Sequence, residues 1–271
     1  MTAVDVLMTS HNRRDKTLAC LASVEAQATP LDLRVVLVDA GSTDGTREAV
    51  ATQHPAVHVV EVGNDVYWGQ GMRIAGSHAR VEADYHLWLN DDVVLAGGAF
   101  DDLLRWARSD RIVVGKLLDH EGYPTYGGLL VRRRSPLSTM PAPVAGAPLQ
   151  VDTLNGNVVL VGRDVVAAIG AVRGDLFPHA FGDIDYGLTA RRAGFDVVQA
   201  PGTLGECSRN PPSTTRSLPT LRERWRAMTS TKELPPGMWW RACVRHGGLL
   251  APLYFVVPYA RLLRRRPVVA S

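Results

Sequence analysis

Two adjacent carboxylates, Asp91 and Asp92, close the run Leu87-Trp88-Leu89-Asn90-Asp91-Asp92. The apolar residues before them read as a buried strand. A strand of a parallel sheet delivers its last residues to the carboxyl edge, where open α/β folds bind their ligands. A carboxylate pair at that edge suits a hard divalent cation such as Mg²⁺ or Mn²⁺, which prefers oxygen and completes its shell with phosphate and water. The competing use of the same two residues is to cap a following helix.

The elements needed to position such a pair are legible upstream. Val4-Asp5-Val6-Leu7-Met8 reads as one strand and Leu33 to Val38 as a second. Between them Leu18, Leu21, Ala22 and Val24 recur at helical spacing in a stretch, Thr17 to Gln27, free of Pro and Gly. This is a βαβ unit. Asp39 is followed by Ala40-Gly41-Ser42-Thr43-Asp44-Gly45-Thr46, loop chemistry in which Ser42, Thr43 or Asp44 can cap the next helix. Val57 to Val62 is a third strand and Tyr85 to Leu89 the fourth. Thr9 and Asp39, just past strands one and two, therefore share a sheet edge with the acidic pair. Gly69-x-Gly71 hints at a dinucleotide loop, but the third glycine is missing and the segment does not open the first βαβ unit. Thr153 to Val161 reads as a tight turn around Asn155-Gly156-Asn157 that enters a buried strand.

Four segments in order carry a resemblance: Met8-Thr9-Ser10-His11-Asn12-Arg13, Val38 to Thr46, Asn90-Asp91-Asp92, and His179 to Leu188 followed by Arg191-Arg192-Ala193-Gly194. Together they span residues 4 to about 207 and resemble the family 2 glycosyltransferases with the GT-A fold. The resemblance implies an α/β fold, a Rossmann-like, mixed and mostly parallel sheet flanked by helices. It divides the chain into a catalytic domain over 1–215, with a nucleotide-sugar half at about 1–115 and an acceptor half at about 116–215, and a helical C-terminal extension over 216–271.

It also implies roles for individual side chains. Thr9, His11, Asn12, Asp39, Gly41, Trp68, Gly69, Arg73, Asn90 and Asp91 would contact the donor, Asp39 by accepting a hydrogen bond from the base. Asp92 would bind the metal, Mg²⁺ or Mn²⁺. Asp183 would be the catalytic base of an inverting, one-step displacement, with Asp185 its rival and a helix-dipole role the alternative for both. Asn155, Asn157, His179 and Asp185 would face the acceptor, although the asparagines equally suit a turn and His179 a structural place. Trp68 is equally a core aromatic. Two residues depart from the family pattern: Gly182 stands where Glu is usual, and Cys207 stands near the place of a metal-binding His. A thiol suits Mg²⁺ poorly, so Glu206 is the alternative ligand and Cys207 is expected to be a small buried residue.

Composition sets the outer bounds. The 271 residues, 46% hydrophobic, can bury one substantial core plus an appended segment. A net charge of +3 gives no electrostatic ground for a nucleic-acid protein. Cys20, Cys207 and Cys243 are odd in number and unpaired in spacing, which fits a reducing cytoplasm, and the N-terminus carries no secretory pattern. Ser135 to Pro148, next to Arg132-Arg133-Arg134, reads as a mobile surface loop. Pro235-Pro236-Gly237 breaks an Arg-rich helical stretch, and Gly247 to Ala260 is apolar, interrupted by Pro252 and Pro258, and leads to Arg264-Arg265-Arg266. That segment is short for a membrane span and suits an interfacial helix at the inner face of the cell membrane, or packing against the catalytic domain or a homodimer partner.

The chain is thus expected to be an inverting, metal-dependent hexosyltransferase. It would take a UDP- or dTDP-linked sugar to a glycan, lipid-linked or small-molecule acceptor, and it looks like bacterial polysaccharide and rhamnosyltransferase-like members. A sugar nucleotidyltransferase and a non-catalytic nucleotide-sugar or glycan-binding subunit are the alternatives.

Overall fold

The computed structural model describes residues 1–132, 135–210, 214–231 and 233–263. Its strands are β1 (Thr2–Ser10), β2 (Leu31–Ala40), β3 (His58–Val62), β4 (Tyr85–Leu89), β5 (Val94–Leu95), β6 (Arg111–Val114), β7 (Gly128–Arg132), β8 (Ser135–Pro141), β9 (Leu149–Gln150), β10 (Thr153–Leu154), β11 (Val158–Gly162), β12 (Asp196–Gln199) and β13 (Gly205–Glu206). Its helices are α1 (Arg14–Glu25), α2 (Thr46–Gln53), α3 (Trp68–Ser77), α4 (Ala99–Arg105), α5 (Arg163–Ile169), α6 (Gly182–Arg192), α7 (Leu221–Met228), α8 (Pro236–His246) and α9 (Ala251–Ala260).

Eight strands form one sheet in the order β3-β2-β1-β4-β11-β6-β12-β9. The pairs β3–β2, β2–β1, β1–β4 and β6–β12 are parallel, while β11 and β9 run against the rest. This is the mixed, mostly parallel sheet expected from the sequence. The central strands, such as β1, β4 and β11, are largely buried on both faces and so read as nearly continuous apolar runs, whereas the edge strands β3 and β9 are partly exposed. In β1, Val4, Val6 and Met8 join one core with Cys20, Leu21 and Val24 of α1, while Leu7 joins the other with Met72 and Ala75 of α3. Period-two alternation sends each set to its own layer.

Asp5 interrupts β1 because it serves the opposite edge. Its fully buried carboxylate accepts from Arg80 Nε at 2.7 Å, and Arg80 also pairs with Asp32 on β2. A buried carboxylate needs such a partner.

The chain winds outward from β1 through β2 to β3, then returns to place β4 on the other side of β1. The crevice for a ligand opens at such a switch point. Thr9 and Ser10 leave β1 there, and Asn90, Asp91 and Asp92 leave β4 beside them. Antiparallel β11 begins at the same edge, where the Asn90 N–H donates to the Asn157 carbonyl at 3.0 Å.

Two expectations change outside the sheet. Much of the stretch expected as a loop, Ser135 to Pro148, is strand β8, which pairs antiparallel with β7 in a small sheet with β10. Pro235-Pro236-Gly237 starts a helix instead of breaking one: α7 has already ended at Met228, and Pro236 occupies the first turn of α8, where its missing N–H is not needed. Arg133, Arg134 and Arg264 to Arg266 lie outside the described residues. In α8, Met238, Trp239, Ala242 and Cys243 pack with Phe177 and Ala251 in a third, smaller core. Among the described residues no helix is long and apolar enough to cross a membrane.

Candidate active site

A cavity of about 620 Å³ opens at the switch point, and Thr9, His11, Trp68, Asn90, Asp91, Asp92, Asn155, Asn157, His179 and Asp183 all line it. Residues far apart in sequence meet there because β1, β4 and antiparallel β11 present their ends to one edge.

The acidic pair is built to hold positive charge. Arg13 Nη1 donates to Asp91 Oδ1 at 3.1 Å and to Asp92 Oδ2 at 2.9 Å, so one cationic nitrogen is shared by both carboxylates. Asp91 Oδ2 is buried without a partner. Burial raises the Asp91 carboxyl above its ordinary value, opposed by the Arg13 charge. An all-oxygen pair that already grips a cation, with one orphaned oxygen, fits a hard divalent metal. Among the described residues no group of three or more His, Cys, Asp or Glu stands ready to hold a metal. The remaining ligands would have to be phosphate oxygens and water.

Cys207 does reach this site. Its thiol donates to Asp92 Oδ1 at 3.5 Å and accepts from Asn157 Nδ2 at 3.7 Å. Burial, then the neighbouring Asp92 charge, pushes that thiol up to about 12, so it stays protonated as a donor. Glu206 does not replace it. Strand alternation turns Glu206 outward to solvent in β13 while Cys207 points in.

On the donor side several expected contacts are committed to structure. Asn12 adopts a left-handed φ of 51°; its Oδ1 accepts from Thr43 N–H at 2.7 Å and its own N–H donates to Ser42 Oγ at 2.9 Å. It laces the β1 and β2 loops together rather than facing the cavity. Asp44 caps by accepting from the Thr46 and Arg14 N–H groups, both at 3.0 Å. His11 Nδ1 meets the Ala40 carbonyl at 2.7 Å, which orients a ring that does line the cavity. Gly41 holds a φ of 66° with the Asn64 backbone so close that a Cβ would lie 2.9 Å from its nitrogen. Gly69 donates to the Pro178 carbonyl at 2.8 Å, and a Cβ there would strike the Phe177 carbonyl at 2.2 Å. Gly69 thus lets α3 dock on the 177–178 loop, not on a ligand. Arg73 is exposed, away from the cavity lining. Asp39 accepts from Ser42 N–H at 3.1 Å through Oδ2, while its buried Oδ1 has no partner, one residue from cavity-lining Ala40.

Trp68 is both a packed aromatic and a cavity residue. It lines the cavity, donates from Nε1 to Asn90 Oδ1 at 2.8 Å, and packs edge-on against Trp88, which packs in turn on Tyr186 of α6. Gly156 has no side chain because a Cβ would lie 2.4 Å from the Trp68 ring.

Opposite the acidic pair in sequence, but on the same cavity, Asp183 sits in the first turn of α6. Its Oδ2 accepts from Gly156 N–H at 3.0 Å and its Oδ1 from Ile184 N–H at 2.8 Å. Burial raises its carboxyl above the ordinary value despite those bonds, which makes it a better proton acceptor than a solvated aspartate. Phe181, just before α6, is held at φ 72°, a conformation that costs a non-glycine residue on the order of 1–3 kcal/mol. Its ring packs against Phe177, Trp239 and His246, which hold that turn in place.

Asp185 corrects the expectation of an acceptor contact or a rival base. Its buried carboxylate accepts from Arg245 Nε at 2.7 Å and His246 Nε2 at 2.6 Å, both on α8. Burial alone would raise it, but those partners outweigh burial and hold it below the usual carboxylate range. Asp185 thereby ties the α6 turn to the C-terminal segment. Arg13, Tyr126 and Asn210 are cavity residues that sequence reasoning missed. Arg13 sat inside the first motif, but its reach to β4 depends on the β1–β4 pairing.

A three-layer α/β/α sheet with ligand groups gathered at its switch point defines the GT-A class of architecture. The description "Glycosyl transferase family 2" matches residues 5–140, just over half of the chain, and the chain belongs to that family. None of the curated proteins compared by sequence matches it significantly. Among solved structures, a mannosyltransferase from Pyrobaculum calidifontis in complex with GDP-Man and Mn²⁺ is similar with a TM-score of 0.54 at 16% identity, over 97% of this chain and 81% of that one. GalNAc-T7 with UDP, GalNAc and Mn²⁺ is similar with a TM-score of 0.63 at 14% identity, over 96% of this chain and 55% of that one. TarS 1-349 from S. aureus in complex with UDP is similar with a TM-score of 0.56 at 14% identity, over 90% of this chain and 70% of that one. At such identities the likeness is one of fold.

Proposed function

We propose that the protein is an inverting, metal-dependent hexosyltransferase that moves a sugar from a UDP- or dTDP-linked donor to an acceptor hydroxyl on a glycan, a lipid-linked saccharide or a small molecule. The observation that carries this reading is that the cation-gripping pair Asp91–Asp92 and the half-buried, backbone-held Asp183 line one cavity. The GDP-Man, UDP and Mn²⁺ of the similar structures support the donor class and the metal.

Asp92, with Asp91 beside it, would hold Mg²⁺ or Mn²⁺. When bound, that ion supplies positive charge to the departing diphosphate. Asp39, next to cavity-lining Ala40, would accept from a nucleobase through its unpartnered Oδ1, and the cavity residues Thr9 and Asn90 would face the rest of the donor. Asp183 takes the proton of the acceptor hydroxyl as its oxygen bonds to the anomeric carbon; the carbon–oxygen bond to the diphosphate breaks and its electron pair leaves with the phosphate. A single base opposite the leaving group is what a one-step inversion requires. Asn155, Asn157 and His179 would form the wall on which the acceptor rests, with Trp68 on the donor side of the same cavity. Three buried free cysteines accord with a cytoplasmic setting.

The test is incubation with a panel of nucleotide sugars and Mn²⁺. Thermal stabilisation by one donor is expected, with release of its nucleoside diphosphate as water or an added saccharide acceptor takes the sugar. Release of pyrophosphate from a nucleoside triphosphate and a sugar phosphate would instead assign a nucleotidyltransferase.

A further inference from the structure

We propose that the face built from α8, the Gly248–Leu250 turn and α9 docks on an anionic lipid surface, lying on it without crossing. The charge of the chain is segregated. Residues 1–215 carry 19 Lys and Arg against 25 Asp and Glu, whereas residues 216–271 carry 11 against 2, and none of the acidic residues lies beyond Glu233. An acidic catalytic part is thus joined to a strongly basic extension.

The same extension exposes apolar surface that a water-facing helix does not normally carry. From Gly247 to Ala260 there is no charged residue, yet within α9 only Ala251 is buried. Leu249 is fully exposed, and Leu253 and Val256 follow it at helical spacing with more than half of their surface in solvent. On α8, Trp240 and Val244 form a second exposed stripe, joined to α9 by the edge-on contact of Trp240 with Phe255 at 5.4 Å. Arg241 and Arg261 are exposed beside these stripes. Leucines to enter the acyl boundary, aromatics for the headgroup level and arginines for anionic headgroups make up the chemistry of an interfacial helix. At ten residues, α9 is about 15 Å long, which suits a surface contact.

A second copy of the chain fits this face less well. Twofold pairing through it would press one basic extension against another, and like charges at a desolvated contact oppose association. An anionic membrane satisfies both the apolar stripes and the charge.

The experiment is sedimentation of the full chain with vesicles of phosphatidylcholine alone or with a quarter phosphatidylglycerol, in low and high salt. It contains neither donor nor metal, so its outcome is independent of the transferase reading. We expect partitioning at least tenfold stronger onto the phosphatidylglycerol vesicles, weakened by salt. The double variant Leu249→Ser, Leu253→Ser should lose at least tenfold in partitioning with an unchanged melting temperature, since both side chains are exposed. Equal binding to both vesicle types, no binding, or an unaffected double variant would overturn the proposal. So would a concentration-dependent dimer in sedimentation velocity that the same substitutions abolish.

Discussion

Replacing Asp183 by Asn removes the proposed proton acceptor while keeping the shape of the side chain. The structure sets what else the change does. Two backbone donors address different oxygens of Asp183, Gly156 N–H at Oδ2 and Ile184 N–H at Oδ1, so an amide must turn its NH₂ toward one of them. An unsatisfied buried donor costs about 1–3 kcal/mol. Against this, the variant relieves the burial of a carboxylate whose raised proton affinity reports an unfavourable charged state. The net loss of stability should therefore stay at the low end, a fall in melting temperature of about 2–4 °C per kcal/mol for a domain near this size. Loss of a general base lowers turnover by about a hundred- to ten-thousandfold, equivalent to about 2.7–5.5 kcal/mol of barrier. The assay is steady-state release of nucleoside diphosphate at saturating donor and acceptor, with donor affinity measured separately by calorimetry. Donor affinity should be unchanged and kcat should collapse. Turnover within threefold of wild type in a folded Asp183→Asn protein would remove Asp183 from the mechanism.

Further expectations rest on the neighbours of the cavity. Asp185→Ala should destabilise the protein by about 3 kcal/mol in denaturant unfolding, because it leaves Arg245 and His246 facing an empty buried place. Asp185 has a depressed folded-state value, so its contribution is fully present above the unfolded carboxylate value and lost as pH falls through the folded one. Wild-type stability should accordingly drop below about pH 4, more steeply than that of Asp185→Asn, in melting scans across pH. Asp183 is raised, and as the proposed base it should make kcat rise with pH along an acid limb placed above the ordinary aspartate value, read from a pH–rate profile. Arg13→Gln removes the guanidinium that competes for the carboxylates, so Mn²⁺ alone should bind that variant more tightly, as read by paramagnetic quenching of tryptophan fluorescence. Weaker Mn²⁺ binding would mean that Arg13 does not occupy the cation's place.

What the sequence made legible follows from the physics of buried strands. Val4 to Met8, Leu33 to Val38 and Tyr85 to Leu89 announce themselves because strands covered on both faces have no polar side, and the structure extends the first two and reproduces the third. Asp91 and Asp92 could be singled out because they end an apolar strand-like run, whereas Asp183 was marked by the family resemblance, since a carboxylate in a first helical turn also has a helix-dipole use. The misreadings share a cause. Gly69 and Gly41 look alike in sequence to glycines that admit a ligand, and only the packed loops reveal that a carbonyl and a backbone nitrogen fill the space. Asp185 looked like a second site carboxylate because its partners, Arg245 and His246, lie 60 residues or more away. Arg13 escaped for the same reason: its partners, Asp91 and Asp92, are brought near by strand order, which local pattern does not encode.

The central claim is that Asp91 and Asp92 form the seat of a cation that joins the protein to a nucleotide diphosphate. Isothermal titration of UDP and dTDP into the protein, with and without Mn²⁺, tests it most directly when repeated on Asp92→Asn. The account predicts that at least one nucleotide binds wild type tenfold or more tightly with Mn²⁺, and that Asp92→Asn abolishes the difference while leaving metal-free binding unchanged. Equal gains from Mn²⁺ in both proteins, or a nucleotide that binds with no metal dependence at all, would contradict it.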